Sequence, residues 1–261
     1  MMTEIWDMHI HLDFMRNALE ISKEATVSGL GLFGVTVTPQ GYIKSQKELS
    51  GLDNVRLGVG LHPWWAADGR CGNDDAFLAA NLIRETRFVG EIGLDASPKH
   101  VSVSSLPLQI EMFKMLCSAS AEYSDPYARK VLSIHSVKAG TLMLDILEQT
   151  GCFEKCFCIF HWFTGSSDEM NRAVRSGCMF SVNEMMLNTR RGREYVRQLP
   201  SDRLLLETDL PPGENNIFSV EKIQSSLNRT LAELSSIKGS DMRSVLKENA
   251  QRILFPAHTM Q

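Results

Sequence analysis

Five apolar, strand-like runs in this chain lead into side chains that bind metal ions, and very few folds bring such a set together. Residues 5–11 carry Asp7-Met8-His9-Ile10-His11, and residues 88–95 carry Glu91 and Asp95. The runs 131–135 and 156–161 each end on a histidine, and residues 204–209 read Leu-Leu-Leu-Glu-Thr-Asp. Four histidines and two carboxylates at the ends of different strands can meet at one mouth of a barrel, where they form a metal site.

Within the first run, alternation of side chains along a strand puts His9 and His11 on one face, a pleat apart, where two imidazoles can hold one ion. The same alternation places Asp7 on that face and Ile10 on the other. A lone H-x-H also arises when one histidine caps the strand and the other is solvated. The further ligand-type residues at strand ends favour ligation.

The runs recur with helical patterns between them. Strands are expected at 5–9, 32–37, 56–61, 88–92, 131–135, 156–160, 179–182 and 204–207, the rhythm of repeated βα units. Helical periodicity appears at 106–121, 141–147, 167–175 and 220–234, with a closing helix at 241–254. Ser166 or Ser167 suits the cap of the third, and Asp241 that of the last. No Pro/Gly/Ser-rich linker, low-complexity tract or further repeat interrupts residues 1–261. The economical expectation is one α/β unit, a (β/α)8 TIM barrel of 1–261.

The chain has 261 residues and a net charge of −4, which excludes a broad polycationic surface as the main attraction to nucleic acid. The six cysteines include no C-x-x-C pair, and Cys156 and Cys158 sit in an apolar run as small core residues. The start lacks a basic segment followed by an apolar one, and no run is long enough to span a membrane. A reducing, cytoplasmic setting is expected, without membrane association.

Taken in order, the motifs are Asp7-Met8-His9-Ile10-His11-Leu12-Asp13, Gly60-Leu61-His62-Pro63, Gly90-Glu91-Ile92-Gly93-Leu94-Asp95, His135-Ser136, His161-Trp162-Phe163-Thr164-Gly165-Ser166 and Glu207-Thr208-Asp209-Leu210-Pro211. Gln109 and Phe113 add a Q-x-x-x-F element, and Glu248-Asn249-Ala250 belongs to the closing helix. From about residue 5 to 255 this resembles the TatD family of metal-dependent deoxyribonucleases, amidohydrolase-like barrels. Val35-Thr36-Val37-Thr38-Pro39 and His161-Trp162-Phe163 resemble the QatD branch, the TatD-like component of Qat antiphage defence systems. Two departures bear on substrate geometry: Ala96-Ser97-Pro98 follows Asp95 in place of an aromatic residue, and Ser-Val-Lys follows His135 where the family usually has a nearby arginine. Both spare all six ligand-type residues.

The resemblance implies two divalent ions: His9, His11 and Asp209 on one, His135 and His161 on the other, and Glu91 bridging. The chemistry agrees, since a carboxylate can span ions about 3.5–4 Å apart whereas a neutral imidazole offers one lone pair. Asp209, Glu91 and Glu207 are the expected catalytic carboxylates, Asp209 holding water and accepting its proton. Glu207, on the face of Asp209, either orients water or a ligating histidine, or is salt-bridged at the rim. By resemblance His62 contacts the substrate phosphate; otherwise it is a loop histidine bonded to backbone. Asp13 and Asp95 either accept hydrogen bonds from ligating histidines or form rim salt bridges. Trp64, Trp65 and Trp162 follow strand ends and either stack on a base or pack in loops. Arg190, Arg191 and Arg193 either steer a phosphate backbone or form a solvated helix face. The Met185-Met186 pair is expected in the core. Imidazoles suit zinc, manganese or nickel better than magnesium, while the resemblance implies magnesium or manganese, so the metal stays open, with Mg, Mn and Zn as the candidates.

The function implied is phosphodiester hydrolysis of DNA, on single strands and from an end, with other Qat proteins as partners of the QatD branch. Two other readings stand beside it: an ester or amide hydrolase, such as an aminoacyl-tRNA deacylase, and a recognition subunit of a defence complex that does not cleave. The fold alone does not separate them.

Overall fold

Eight strands follow one another in chain order: β1 (Ile5–Ile10), β2 (Leu30–Val35), β3 (Val55–Leu61), β4 (Phe88–Asp95), β5 (Lys130–Val137), β6 (Cys156–His161), β7 (Met179–Val182) and β8 (Leu204–Leu206). The computed structural model describes residues 3–99 and 101–256; the expected unit of 1–261 also includes residues 1–2, 100 and 257–261, which lie outside the described residues. Every neighbouring pair is parallel, and the sheet order is β1 to β8. Its two ends meet: the Asp209 N–H donates to His9 O at 2.9 Å, and the His11 N–H to Leu210 O at 2.8 Å. The result is a nearly closed (β/α)8 barrel, as expected from the rhythm of the sequence. Strands covered on both faces need not alternate apolar with polar residues, and all six residues of β2 are buried.

The strand boundaries differ from expectation where they matter for the site. Both β4 and β5 run past the expected ends, to Asp95 and Val137. Glu91 therefore lies within a strand rather than near its end, at the floor of the mouth. In contrast, β8 stops at Leu206, which leaves Glu207, Thr208 and Asp209 on the loop. Two glycines allow neighbouring segments of the barrel to approach closely, one on β3 and one on β4. A Cβ on Gly60 would fall 1.8 Å from Thr36 O, and one on Gly93, at φ +152, would fall 2.0 Å from His135 O. No other residue fits either place.

A register irregularity between Asp7 and Ile10 breaks the alternation of β1. Trp6 and Met8 join Phe33, Val35, Val131, Ile159 and Leu205 in an apolar cluster. Val131, Ile159 and Leu205 share strand parity with His135, His161 and Glu207, so this cluster fills the barrel beneath the histidines. Asp7 does not join His9 and His11 as alternation suggested. It accepts the Thr208 N–H at 3.0 Å and the Thr208 hydroxyl at 2.5 Å.

The larger cluster, between barrel and helices, includes Ile10, Leu32, Leu94, Phe113, Phe160 and Leu227. Helices stand at Leu106–Glu122, Gly140–Gln149, Ser167–Arg175, Val220–Lys238 and Arg243–Leu254. Ser166 caps the third through reciprocal bonds with Glu169. The last is not capped by Asp241: its cap position is Met242, and Asp241 accepts the Arg243 N–H at 3.0 Å. Asn249 of that helix ties it to the barrel by donating to Ser201 O and Leu204 O. All six cysteines are free and buried.

Candidate metal centre

The two oxygens of Glu91 face two different groups of donors. Oε2 lies 3.5 Å from His11 Nε2 and 3.7 Å from His9 Nε2, and Asp209 Oδ1 stands opposite, 3.3 and 3.5 Å from the same nitrogens. Oε1 lies 2.9 Å from His135 Nδ1, 2.9 Å from His161 Nε2 and 3.2 Å from His62 Nε2. All six residues expected as ligands thus converge on one place, and His62 joins them. Compact donor sets form from His9, His11 and Glu91, from His9, His161 and Asp209, and from His62, Glu91 and His135. Glu91 is buried at the floor, while the Asp209 carboxylate is 18% exposed and reaches the mouth.

The donors are held from behind. Val35 O, a pure acceptor, lies 3.1 Å from His11 Nδ1, so this nitrogen carries a proton and Nε2 is the site-facing atom. His9 Nδ1 meets Ser133 Oγ at 2.7 Å, and its buried Nε2 has no hydrogen-bond partner among the described residues. A buried, unpartnered imidazole nitrogen aimed at two carboxylates is what a cation site requires. The donor set, imidazole nitrogens with carboxylate oxygens, therefore fits divalent ions.

Asp95 lies 3.4 Å from His135 Nε2, accepts the Trp64 indole N–H at 2.7 Å, and receives Ser97 N–H at 2.7 Å. Gln109 holds the Asp95 N–H at 2.9 Å. Asp13 has no such link to His11; it accepts the Val37 N–H at 3.3 Å. Glu207 is buried, accepts from the Ser181 hydroxyl and from Asn183 Nδ2, and stands 3.8 Å behind His161 Nδ1. That position suits orienting a histidine, not water at the mouth. Sequence reasoning missed Ser133, Ser181 and Asn183. Ser133 carried a usable signal, lying two residues before His135 and thus on the same face.

Charge in the cluster favours bound cations. Burial lowers the His9 pKa, and neighbouring His161 lowers it further. Burial likewise takes His62 down to about 4 against the pull of Glu91. His11 goes the other way: burial opposes its charge, but the Asp209 hydrogen bond and the Glu91 and Asp209 charges raise it to about 9. His161 is held well above its ordinary value, burial being outweighed by Glu91 and Glu207. Burial would raise Glu91 and Asp209, yet the surrounding imidazoles hold both below the usual carboxylate range.

A cavity of about 540 Å³ opens above these groups. Asp209 and Trp162 line it with left-handed backbones, at φ +57 and +38. Such conformations cost on the order of 1–3 kcal/mol and collect at functional sites. Trp64 is tied to Asp95, and Trp65 stacks on Phe14 with the Arg70 guanidinium 3.8 Å from its ring. Met186 is buried as expected, but Met185 is 41% exposed and lines the cavity. Arg191 bonds Gly165 O and Tyr195, Arg193 pairs with Glu233, and neither lines the cavity.

Comparison with known proteins gives a consistent picture. The family model described as TatD related DNase matches residues 6–255. The chain is 31% identical over 255 residues to the 3'-5' ssDNA/RNA exonuclease TatD of Dickeya dadantii, covering 90% of this chain and 89% of that protein. It is 25% identical over 266 residues to the uncharacterized metal-dependent hydrolase YabD of Bacillus subtilis, covering 95% and 98%. The solved structure of YJJV, a TatD homologue from Escherichia coli, aligns at a TM-score of 0.79 and 18% identity over 98% of this chain and 99% of that one.

Proposed function

This chain belongs to the TatD related DNase family, and we propose that it hydrolyses phosphodiester bonds of DNA, on single strands and from an end. It is a TatD-like metal-dependent hydrolase. The observation that carries the finer reading is Glu91, whose oxygens face His9 and His11 on one side and His135 and His161 on the other. We assign His9, His11 and Asp209 to one ion, His135 and His161 to a second, and Glu91 to both. Bound there, two divalent ions supply Lewis acidity, acidifying water and stabilising charge on the attacking and leaving oxygens.

The protein groups perform the remaining tasks. Asp209 is the carboxylate at the open side of the site, where it takes the proton of the attacking water. His62, kept neutral by burial, sits beside Glu91 and hydrogen-bonds a phosphate oxygen. Asp95 and Glu207 fix the rings of His135 and His161 from behind. End-directed cleavage of single strands is supported by the concave mouth, by the net charge of −4, and by the name of the Dickeya relative. The assignment to the QatD branch, with antiphage defence and Qat partners, rests on the sequence at 35–39 and 161–163, and the reading of a cytoplasmic setting rests on six free cysteines, which suit a reducing compartment. No helix among the described residues is long and apolar enough to cross a membrane.

Purified protein offered DNA, RNA and a carboxylic ester, each with chelator and with Mg, Mn or Zn restored, tests the reading. Metal-dependent cleavage of DNA supports it. Turnover of the ester alone makes the protein an esterase or deacylase, and no turnover at all makes it a recognition subunit.

A further inference from the structure

We infer that Trp162 is the platform on which the nucleobase of the terminal nucleotide stacks, so that the enzyme recognises a base as well as a phosphate. The inference rests on the phosphodiesterase reading above. Of the tryptophans that follow strand ends, two have other tasks. Trp64 spends its indole N–H on Asp95, and Trp65 stacks between Phe14 and Arg70. Trp162 is half-buried, lines the cavity, and directly follows His161.

Its backbone is the second argument. Trp162 stands at φ +38, a region where a bulky residue is strained and glycine is not. The turn there lets Phe163 bury its ring against Phe160, Phe180 and Tyr195. Glycine would make the same turn without strain, so the turn does not account for an indole. Part of the indole packs against the apolar core between barrel and helices, and the part that lines the cavity adds a flat apolar surface at the rim.

The surroundings of the rim are the third argument. The Trp162 N–H donates to Ser181 O at 3.3 Å, which joins this turn to the end of β7. Just beyond, exposed Met185 lines the same cavity and gives the base a polarizable apolar neighbour. Cationic grip is weak by comparison. Arg70 lines the cavity, but its guanidinium is held by Asp68 at 2.6 Å and faces Glu214 at 3.8 Å. Recognition of a terminal nucleotide beyond its scissile phosphate then falls to stacking, which tolerates any base.

The test uses full-length, metal-loaded protein and single-stranded oligonucleotides whose terminal residue, at either end, is thymidine or an abasic analogue. Wild type should favour the base-bearing end by about 10-fold or more in kcat/KM, mostly through KM. Trp162→Leu should bring that ratio close to one, and Trp162→Phe should keep most of it. A full preference in Trp162→Leu, or no preference in wild type, overturns the inference while leaving phosphodiester cleavage in place. A second readout needs no turnover: thymidine 5'-monophosphate should quench tryptophan fluorescence where deoxyribose 5-phosphate does not, and Trp162→Phe should abolish the difference. Equal quenching by the two ligands, or a difference that survives in Trp162→Phe, overturns it. If wild type cleaves neither oligonucleotide, the phosphodiesterase reading fails and the quenching alone decides the platform.

Discussion

His9 Nδ1 and Ser133 Oγ lie 2.7 Å apart, a contact that crosses the barrel from β1 to β5. It occupies one imidazole nitrogen and leaves the other, Nε2, aimed at Glu91 and Asp209. Partners of this kind set the orientation and basicity of a ligating ring, and losing one typically lowers metal affinity about 10–100-fold. Ser133→Ala is expected to weaken the ion assigned to His9, His11 and Asp209 by that amount, measured by titration against a competing chelator, with an unchanged circular dichroism spectrum. An unchanged affinity would show that packing alone orients His9.

Removing the metal is expected to lower the thermal midpoint while keeping a cooperative transition. The barrel has its own apolar clusters, and without ions the donors pair with one another, as His135 and His161 do with Glu91 at 2.9 Å. A ligand present at about 100 times its Kd stabilises by only about 2.7 kcal/mol. Calorimetry before and after chelation checks this; a chelated sample with no unfolding transition would show that the metals hold the fold together.

Metal binding is expected to release protons. Without metal, the carboxylates keep His11 protonated up to about 9 and His161 protonated well above its usual range. Because bound protons must leave before an ion enters, affinity should rise with pH across neutrality, and the part of that rise due to His11 should level off above about 9. His9 and His62, whose pKa values are lowered, add nothing to this slope near neutral pH. Calorimetric titration in buffers of different ionisation enthalpy reads the proton count directly. A binding heat independent of the buffer at pH 7 would contradict the arrangement.

The residues legible in the sequence are those whose chemistry does not depend on exact register. His9, His11, His135, His161, Glu91 and Asp209 stand out because ligand-type side chains at strand ends of a parallel barrel share one mouth. What register controls was not legible. The irregularity in β1 sends Asp7 to Thr208, and no local pattern announces it. The place of His62 beside Glu91 depends on how closely β3 passes its neighbours, which Gly60 permits and no periodicity reveals. Glu207 showed its face correctly but not its depth, because the early end of β8 lets Ser181 and Asn183 enclose it.

Cleavage is expected to favour single-stranded or frayed ends. A closed circular duplex has no end to insert, and a concave mouth on a chain of net charge −4 gives it little to lie along. Matched assays on a short single strand, a blunt duplex and a closed circle measure the preference. Equal rates on the circle and the single strand would rule out an end-directed enzyme.

Asp209→Asn separates catalysis from architecture more cleanly than any other change at the site. Asp209 sits at φ +57, and asparagine is among the few residues that accept this left-handed backbone. Its N–H, which donates to His9 O at 2.9 Å and helps close the barrel, is retained. What the substitution removes is the negative charge between His9 and His11 and the basicity at the mouth. Turnover of DNA should fall at least about 10²-fold, the lower end of what a general base contributes. The ion held by His9 and His11 should bind more weakly, while that held by His135, His161 and Glu91 should keep its affinity, because those donors keep their distances to one another. Wild type and mutant purified identically, then compared by cleavage rate, bound-metal content and circular dichroism, give the three readings. A folded Asp209→Asn protein that cleaves as fast as wild type would remove Asp209 from the mechanism and weaken the case that this site cleaves DNA.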